Sequence, residues 1–141
     1  EGRDVWDARI RNAPFPDDVG TAIMARYDKF FPGRRVSVRS SSLVEDRSNF
    51  SFAGMASSLL NVDRAALLPA VREVWASFLN KRAVDYMRRN KLSVEDIHQG
   101  QIVQEMIEAD VSGVLRTVNP NAIHRNAMIA EMVYGLGPGV V

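Results

Sequence analysis

Residues 38–54 combine groups that suit the binding of a phosphate chain. The segment holds Arg39, three serines at 40–42 and the glycine-ended run Ser51-Phe52-Ala53-Gly54. A guanidinium offers a permanent forked cation, serine hydroxyls donate hydrogen bonds, and a glycine turn lets backbone N–H groups approach anionic oxygens closely. As a generic pattern, a serine-rich turn beside an arginine is more often simple loop capping. These residues alone leave a phosphate site and an ordinary loop both open.

Short strands are predicted to carry these groups. Residues 35–40 alternate apolar and polar side chains with a period of two, so their valines should face a core and Arg39 the opposite side. Residues 50–54 predict a second strand that ends on glycine. Residues 57–62 predict a third strand, and we expect it to pair back across the second.

Helices are predicted ahead of the arginine strand. Apolar residues at helical spacing predict two helices within residues 5–30, with Asp17 or Asp18 as the N-cap of the second. That helix should end near Pro32 and Gly33, because proline cannot continue a helix and glycine permits a left-handed exit.

The second half of the chain predicts two further helices and three strands. An apolar stripe predicts a helix that starts near Leu67, because Pro69 is tolerated only in a first turn. Asn80 is expected to cap the next helix. Strands are predicted at 101–105, 113–118 and 127–133. Helices and strands together indicate a mixed α and β domain.

Composition excludes several classes of protein. The 141 residues suffice for one domain, and 46% hydrophobic with 25% charged residues is typical of a globular chain. A formal charge of +1 gives no overall field to attract nucleic acid or an anionic membrane. No apolar stretch approaches the ~20 residues that span a bilayer. The chain lacks cysteine and an initiator methionine, so we expect a cytoplasmic protein and a start inside a longer one.

Collinear sequence blocks run from residue 36 to the end of the chain. Three surround the arginine and glycine groups: Val38–Asp46, Ser51–Gly54 and Leu60–Val62. Others follow at 74–77, 82–86, 103–107, 110–120 and 129–137. In order and spacing they resemble the nucleotide-binding domain shared by phosphoenolpyruvate synthase, pyruvate phosphate dikinase, rifampicin phosphotransferase and glucan water dikinases.

This resemblance implies an α+β fold of the ATP-grasp type, with a mixed, largely antiparallel sheet flanked by helices. It implies that residues 1–141 are a partial domain. The expected segments are a helical lead-in at 1–35, the arginine strand and phosphate-loop hairpin at 36–62, helices at 63–91 and adenine-edge strands at 101–141.

The resemblance also implies which residues contact the phosphates. Arg39 would grip phosphate oxygens and act in catalysis. Ala53, Gly54 and Met55 would lie in the phosphate loop, and Ser58 takes the place where many relatives carry threonine, another hydroxyl donor.

A second group of residues is implied to surround the base and the ribose. Gln104, Glu105, Met106 and Ile107 would form the adenine edge, which reads the base through backbone groups with the last two side chains as apolar walls. Glu131 would face the ribose or the metal.

The implied function is the ATP-binding part of a dikinase-like phosphotransferase. ATP with Mg²⁺ would supply a phosphoryl group that passes through a histidine on another domain to an acceptor. His98 and His124 lack the Thr-Ser-His context of that histidine. The expected partners are therefore a phosphohistidine swivel domain and an acceptor-binding domain, with no nucleic acid and no membrane, and the fragment alone should be inactive.

Two rival interpretations stay open. A non-catalytic nucleotide-binding or scaffold module is favoured by Met55, where the family has glutamine, and by Pro138, where it has glutamate. Alternatively, a chain cut from a larger sheet folds poorly or self-associates through unpaired strand edges.

Overall fold

The computed structural model of the chain describes residues 2–42, 57–90, 99–118 and 127–139. The chain forms two compact units, Glu1–Met106 and Ile107–Val141. The elements of the first unit are, in chain order, α1 (Gly2–Asn12), α2 (Asp17–Phe30), β1 (Val36–Ser42), β2 (Leu59–Val62), α3 (Leu67–Ser77), α4 (Lys81–Arg89) and β3 (Gln99–Glu105). Those of the second unit are β4 (Val111–Arg116), β5 (Ile129–Tyr134) and a short 3₁₀ turn at Gly137–Gly139.

The two predicted N-terminal helices are confirmed as α1 and α2. Helix α2 takes Pro16 as its N-cap instead of an aspartate, because the proline already holds the extended backbone that precedes a helix (φ −53°, ψ 136°). Asp17 and Asp18 lie in the first turn, where their charges suit the helix dipole. The chain leaves the helix through Gly33, whose φ of +70° is the expected left-handed exit.

Helices α3 and α4 begin where local rules predict. Pro69 is the third residue of α3, so its missing N–H costs no helical hydrogen bond. The Asn80 side chain accepts a hydrogen bond from the Ala83 N–H at 2.9 Å, which caps α4 as predicted.

A three-stranded antiparallel sheet in the order β2-β1-β3 forms the centre of the first unit. Strand β3 pairs with β1 in continuous register, from Val36 opposite Glu105 to Ser42 opposite Gln99. Strand β2 pairs with the other edge of β1. The predicted strand at 50–54, and hence its pairing with β2, lies outside the described residues.

The β1–β2 ladder contains a bulge. Val36 lies opposite Val62 and Val38 opposite Leu59, so two residues of β2, Leu60 and Asn61, face one residue of β1. Asn61 has a φ of +57°, the left-handed conformation that asparagine tolerates better than most residues.

The core lies on one face of this sheet, against α3. Val36 and Val38 are fully buried, as their alternation predicts, and belong to one apolar cluster with Leu67, Val71 and Val74 of α3. The Gln101 amide of β3 also donates to the Val71 carbonyl at 2.8 Å. Helix α3 therefore supports both β1 and β3.

The second unit contains an antiparallel pair, with β4 against β5 from Val111–Tyr134 to Arg116–Ile129. Gly113 is needed there, because a Cβ at this position would lie 2.5 Å from the Glu131 carbonyl oxygen. The helices and antiparallel strands confirm the α+β class. Within the described ranges, no helix has both the length and the apolar character to cross a lipid bilayer.

Candidate functional site

Arg39 lies near the middle of the central strand, on the face of the sheet opposite the core. Its neighbour Val38 is buried in the core, whereas the Arg39 side chain is exposed. Among the described residues, none forms an ion pair or hydrogen bond with its guanidinium. A rigid strand therefore presents a cation that is available to an anionic ligand.

We call the surface around this arginine the open face; it consists of Arg39, Leu60, Ile102 and Gln104. Ile102 and Gln104 belong to it because they are the cross-strand partners of Arg39 and Ser37. Ile102 is 50% exposed, and Leu60, which the bulge places after the core-packed Leu59, is 38% exposed. An arginine with exposed apolar neighbours suits a ligand that has both a phosphate and a flat apolar ring.

Strand β3 has one backbone edge beside this face that is free of other described strands. The Met106 N–H donates to the Arg35 carbonyl at 2.9 Å. Because hydrogen-bonding residues alternate in an antiparallel ladder, the N–H and C=O of Glu105 point away from β1. No other described strand pairs with this edge. One donor and one acceptor are thus available to the edge of a base, while the Glu105 carboxylate forms an ion pair with Arg34.

Ser58 immediately precedes β2 and is exposed. The residue before it is tied to α3, because the Ser57 N–H donates to the Ser77 hydroxyl oxygen at 2.9 Å. Ser77 in turn donates to the Val74 carbonyl at 2.7 Å. In the sequence analysis, Ser77 is the last residue of the block 74–77 but is assigned no function, because its hydrogen-bond partner lies 20 residues away along the chain.

The remaining predicted site residues either lie outside the described residues or belong to the second unit. Ala53, Gly54 and Met55 lie outside the described residues, as do both histidines. Ile107 begins the second unit, where its side chain is 74% exposed. Glu131 also belongs to the second unit and lies 3.5 Å from Arg116 in an ion pair, which gives its carboxylate a local partner.

A second concave region lies between α2 and α3, among residues to which the sequence analysis gave no binding role. It has a volume of about 590 Å³, and its lining includes Met24, Leu68 and the ion pair of Asp28 with Arg64. The Arg64 guanidinium donates to both carboxylate oxygens of Asp28, at 2.6 and 2.8 Å. These hydrogen bonds lower the pKa of Asp28.

The described part of the chain offers no ready metal centre. None of its residues form a group of three or more histidine, aspartate or glutamate side chains able to hold an ion. These residues therefore do not fit a magnesium site built from protein ligands alone.

Comparison with known proteins decides the family. The sequence pattern described as the AMP/ATP-binding domain of pyruvate phosphate dikinase matches residues 4–141. The chain belongs to this family. Its membership, with the helices and antiparallel sheets described above, confirms the ATP-grasp-like α+β fold expected from the resemblance.

Relatives of this AMP/ATP-binding domain are much longer proteins. A rifampicin phosphotransferase of Streptomyces sviceus is 35% identical over 133 residues, which cover 94% of this chain and 15% of the relative. A probable phosphoenolpyruvate synthase of Methanothermobacter thermautotrophicus is 33% identical, with 94% and 20% covered. The phosphoenolpyruvate synthase of Pyrococcus furiosus is 35% identical, with 94% and 17% covered. The chain thus spans at most a fifth of the length of these relatives.

Proposed function

We propose that this chain is the ATP-binding part of a dikinase-like phosphotransferase and that ATP binds on the open face. The observation that carries the proposal is Arg39, an exposed guanidinium on the central strand of an AMP/ATP-binding domain, for which the described residues supply no ion-pair or hydrogen-bond partner. A forked cation on a rigid strand can hold two phosphate oxygens at once. Arg39 would then position the polyphosphate and stabilise the charge that develops during transfer.

The adenine base would lie against the free edge of β3. The outward N–H and C=O of Glu105 supply one donor and one acceptor, and Gln104 of the open face is the preceding residue of β3. Met106 and Ile107 would close on the base as apolar walls. This arrangement reads the base through the backbone, which needs no particular side chain at 105.

The remaining predicted contacts complete the proposed site. Ala53, Gly54 and Met55 would cover the phosphates, Ser58 would donate a hydroxyl hydrogen bond to them, and Glu131 would lie on the ribose or metal side. Magnesium would enter with ATP. Since the described residues do not form a carboxylate cluster for it, we assign the ion no ligand in this part of the chain.

The proposed reaction needs further domains. Phosphoenolpyruvate synthases and rifampicin phosphotransferases are the named relatives, and this chain covers 12–20% of their lengths. We propose that a phosphohistidine domain and an acceptor-binding domain complete the enzyme and that the present chain alone does not turn over.

Calorimetric titration with magnesium–ATP tests the site. Arg39→Ala should weaken binding by about 10- to 100-fold, the range expected for losing charge-assisted hydrogen bonds. Arg26→Ala is the matched control, because Arg26 is an exposed arginine on α2, away from the open face. Equal affinity of wild type and Arg39→Ala would count against the proposed site.

A non-catalytic nucleotide-binding module is the second candidate. Met55 and Pro138, which depart from the family pattern, favour it. Such a module would bind ATP without needing a phosphohistidine domain or an acceptor-binding domain. The flanking sequence of the full protein therefore separates the two candidates.

A further inference from the structure

Ser77 connects the end of α3 to the chain segment just ahead of β2. It is the last residue of α3 and is 3% exposed. Its hydroxyl donates to the Val74 carbonyl at 2.7 Å and accepts the Ser57 N–H at 2.9 Å. Both the donor and an acceptor position of this buried group are thus used, and one of the two bonds joins distant parts of the chain.

The hydrogen bond from the Ser57 N–H to Ser77 affects Ser58, because both serines precede the start of the β1–β2 ladder. The first described pair of the ladder on this side is Leu59 with Val38, so Ser57 and Ser58 precede it. Ser58 therefore lies between two attached points, the Ser57 N–H on Ser77 and Leu59 on β1. Without the Ser77 hydroxyl, the second attachment alone would hold the backbone of Ser58 within the described part of the chain.

We propose that Ser77 is a positioning residue for Ser58 in nucleotide binding, an inference that rests on the proposed function. Ser77 holds the Ser57 amide and so limits the backbone positions that Ser58 can take. In these positions the Ser58 hydroxyl would donate to a phosphate oxygen. Displacements of about 1 Å in such a group are enough to weaken binding and catalysis. Ser77 itself touches no phosphate and acts through Ser58 alone.

A merely structural role makes a different prediction. If Ser77 only fills buried space and satisfies the Val74 carbonyl, its removal lowers stability and changes affinity no more than other variants of equal stability. Asn80→Ala is the matched control, because it removes a nearby N-cap hydrogen bond that does not involve Ser57.

The test is a double-mutant cycle read out by magnesium–ATP affinity. Ser58→Ala and Ser77→Ala should each weaken binding, by about 10-fold and about 3- to 10-fold, as expected for the loss or misplacement of a hydrogen bond to a charged group. In the Ser58→Ala background, Ser77→Ala should change the affinity by less than about 2-fold, because its effect passes through Ser58. Ser77→Thr, which keeps the hydroxyl, should restore most of the affinity.

Two outcomes overturn the inference while leaving the proposed function intact. One is wild-type affinity in Ser77→Ala while Arg39→Ala is impaired. The other is an equal loss from Ser77→Ala with and without the Ser58 hydroxyl. If neither wild-type binding nor an effect of Arg39→Ala is found, the proposed function fails and the role of Ser77 fails with it.

Amide hydrogen exchange supplies a readout that needs no variant to fold. In the wild-type chain the Ser57 N–H should exchange slowly, because it donates to a buried acceptor. Rapid exchange of this amide, at the rate of an unstructured peptide, would remove the attachment on which the inference depends.

Discussion

The bulge in β2 allows one residue to be tested for backbone conformation alone. Asn61 has a φ of +57° and is exposed, so substitutions there leave the buried apolar area unchanged. A residue other than glycine costs about 1–2 kcal/mol in the left-handed region, less for asparagine, and a β-branched residue is the least tolerated. Asn61→Val should therefore lower the free energy of unfolding by about 2 kcal/mol, whereas Asn61→Gly should be neutral or slightly stabilising.

Thermal melting followed by circular dichroism measures this difference. In a chain of this size, a loss of 2 kcal/mol lowers the melting temperature by roughly 4–8 °C. Ser41→Val is the matched control, because it puts the same side chain at an exposed position of β1 that pairs regularly with Gly100. Valine favours ordinary strand backbone, so this variant should melt at or above the wild-type temperature. If Asn61→Val and Ser41→Val melt together, the two-for-one pairing at Leu60 and Asn61 is wrong.

Two further predictions concern close approach and charge. Gly113→Ala should lower the free energy of unfolding by about 1–3 kcal/mol, because its Cβ would lie 2.5 Å from the Glu131 carbonyl oxygen. Gly100→Ala should lower it less, because there the nearest atom is 3.5 Å from the new Cβ. Equal losses in urea midpoint for the two variants would contradict this prediction. Asp28→Asn should lower stability near neutral pH, because it removes the ion pair with Arg64. The folded state lowers the pKa of Asp28 below its unfolded value of 3.8, so the pair stabilises the fold above pH 3.8 and loses its effect as the pH falls through the folded pKa. The difference in urea midpoint between wild type and Asp28→Asn should therefore disappear at acidic pH. A difference that does not change with pH would contradict the lowered pKa of Asp28.

Local signals in the sequence account for most of the elements. The period of two in β1 predicts buried valines and an outward Arg39, and both are observed. Pro69 and Asn80 predict where α3 and α4 begin, because a first-turn proline and an N-cap act within a few residues. These rules need no knowledge of the rest of the fold.

Features that depend on distant pairing could not be predicted in this way. Nothing local in Leu60-Asn61-Val62 indicates a bulge, because the extra residue exists only relative to its partner strand. The hydrogen bond between Ser77 and Ser57 could not be predicted either, since the two residues are 20 positions apart along the chain. The resemblance pointed to the correct family but not to these contacts, which are properties of packing.

The candidate site likewise contains one feature that a single strand predicts and one that depends on strand pairing. Arg39 could be assigned to the open face from its strand alone. The free edge at Glu105 required the register of β3, which the bond from Met106 to the Arg35 carbonyl reveals. The resemblance named residues 104–107, but only the pairing shows which backbone groups of that segment are already used.

The outward N–H and C=O of Glu105 belong to the main chain, and this affects how the position can vary among homologues. Every residue type supplies that carbonyl, and every type except proline supplies that amide hydrogen. Side chains at 105 can therefore diverge freely while the hydrogen-bonding pattern persists, and proline is the one replacement that would remove the donor.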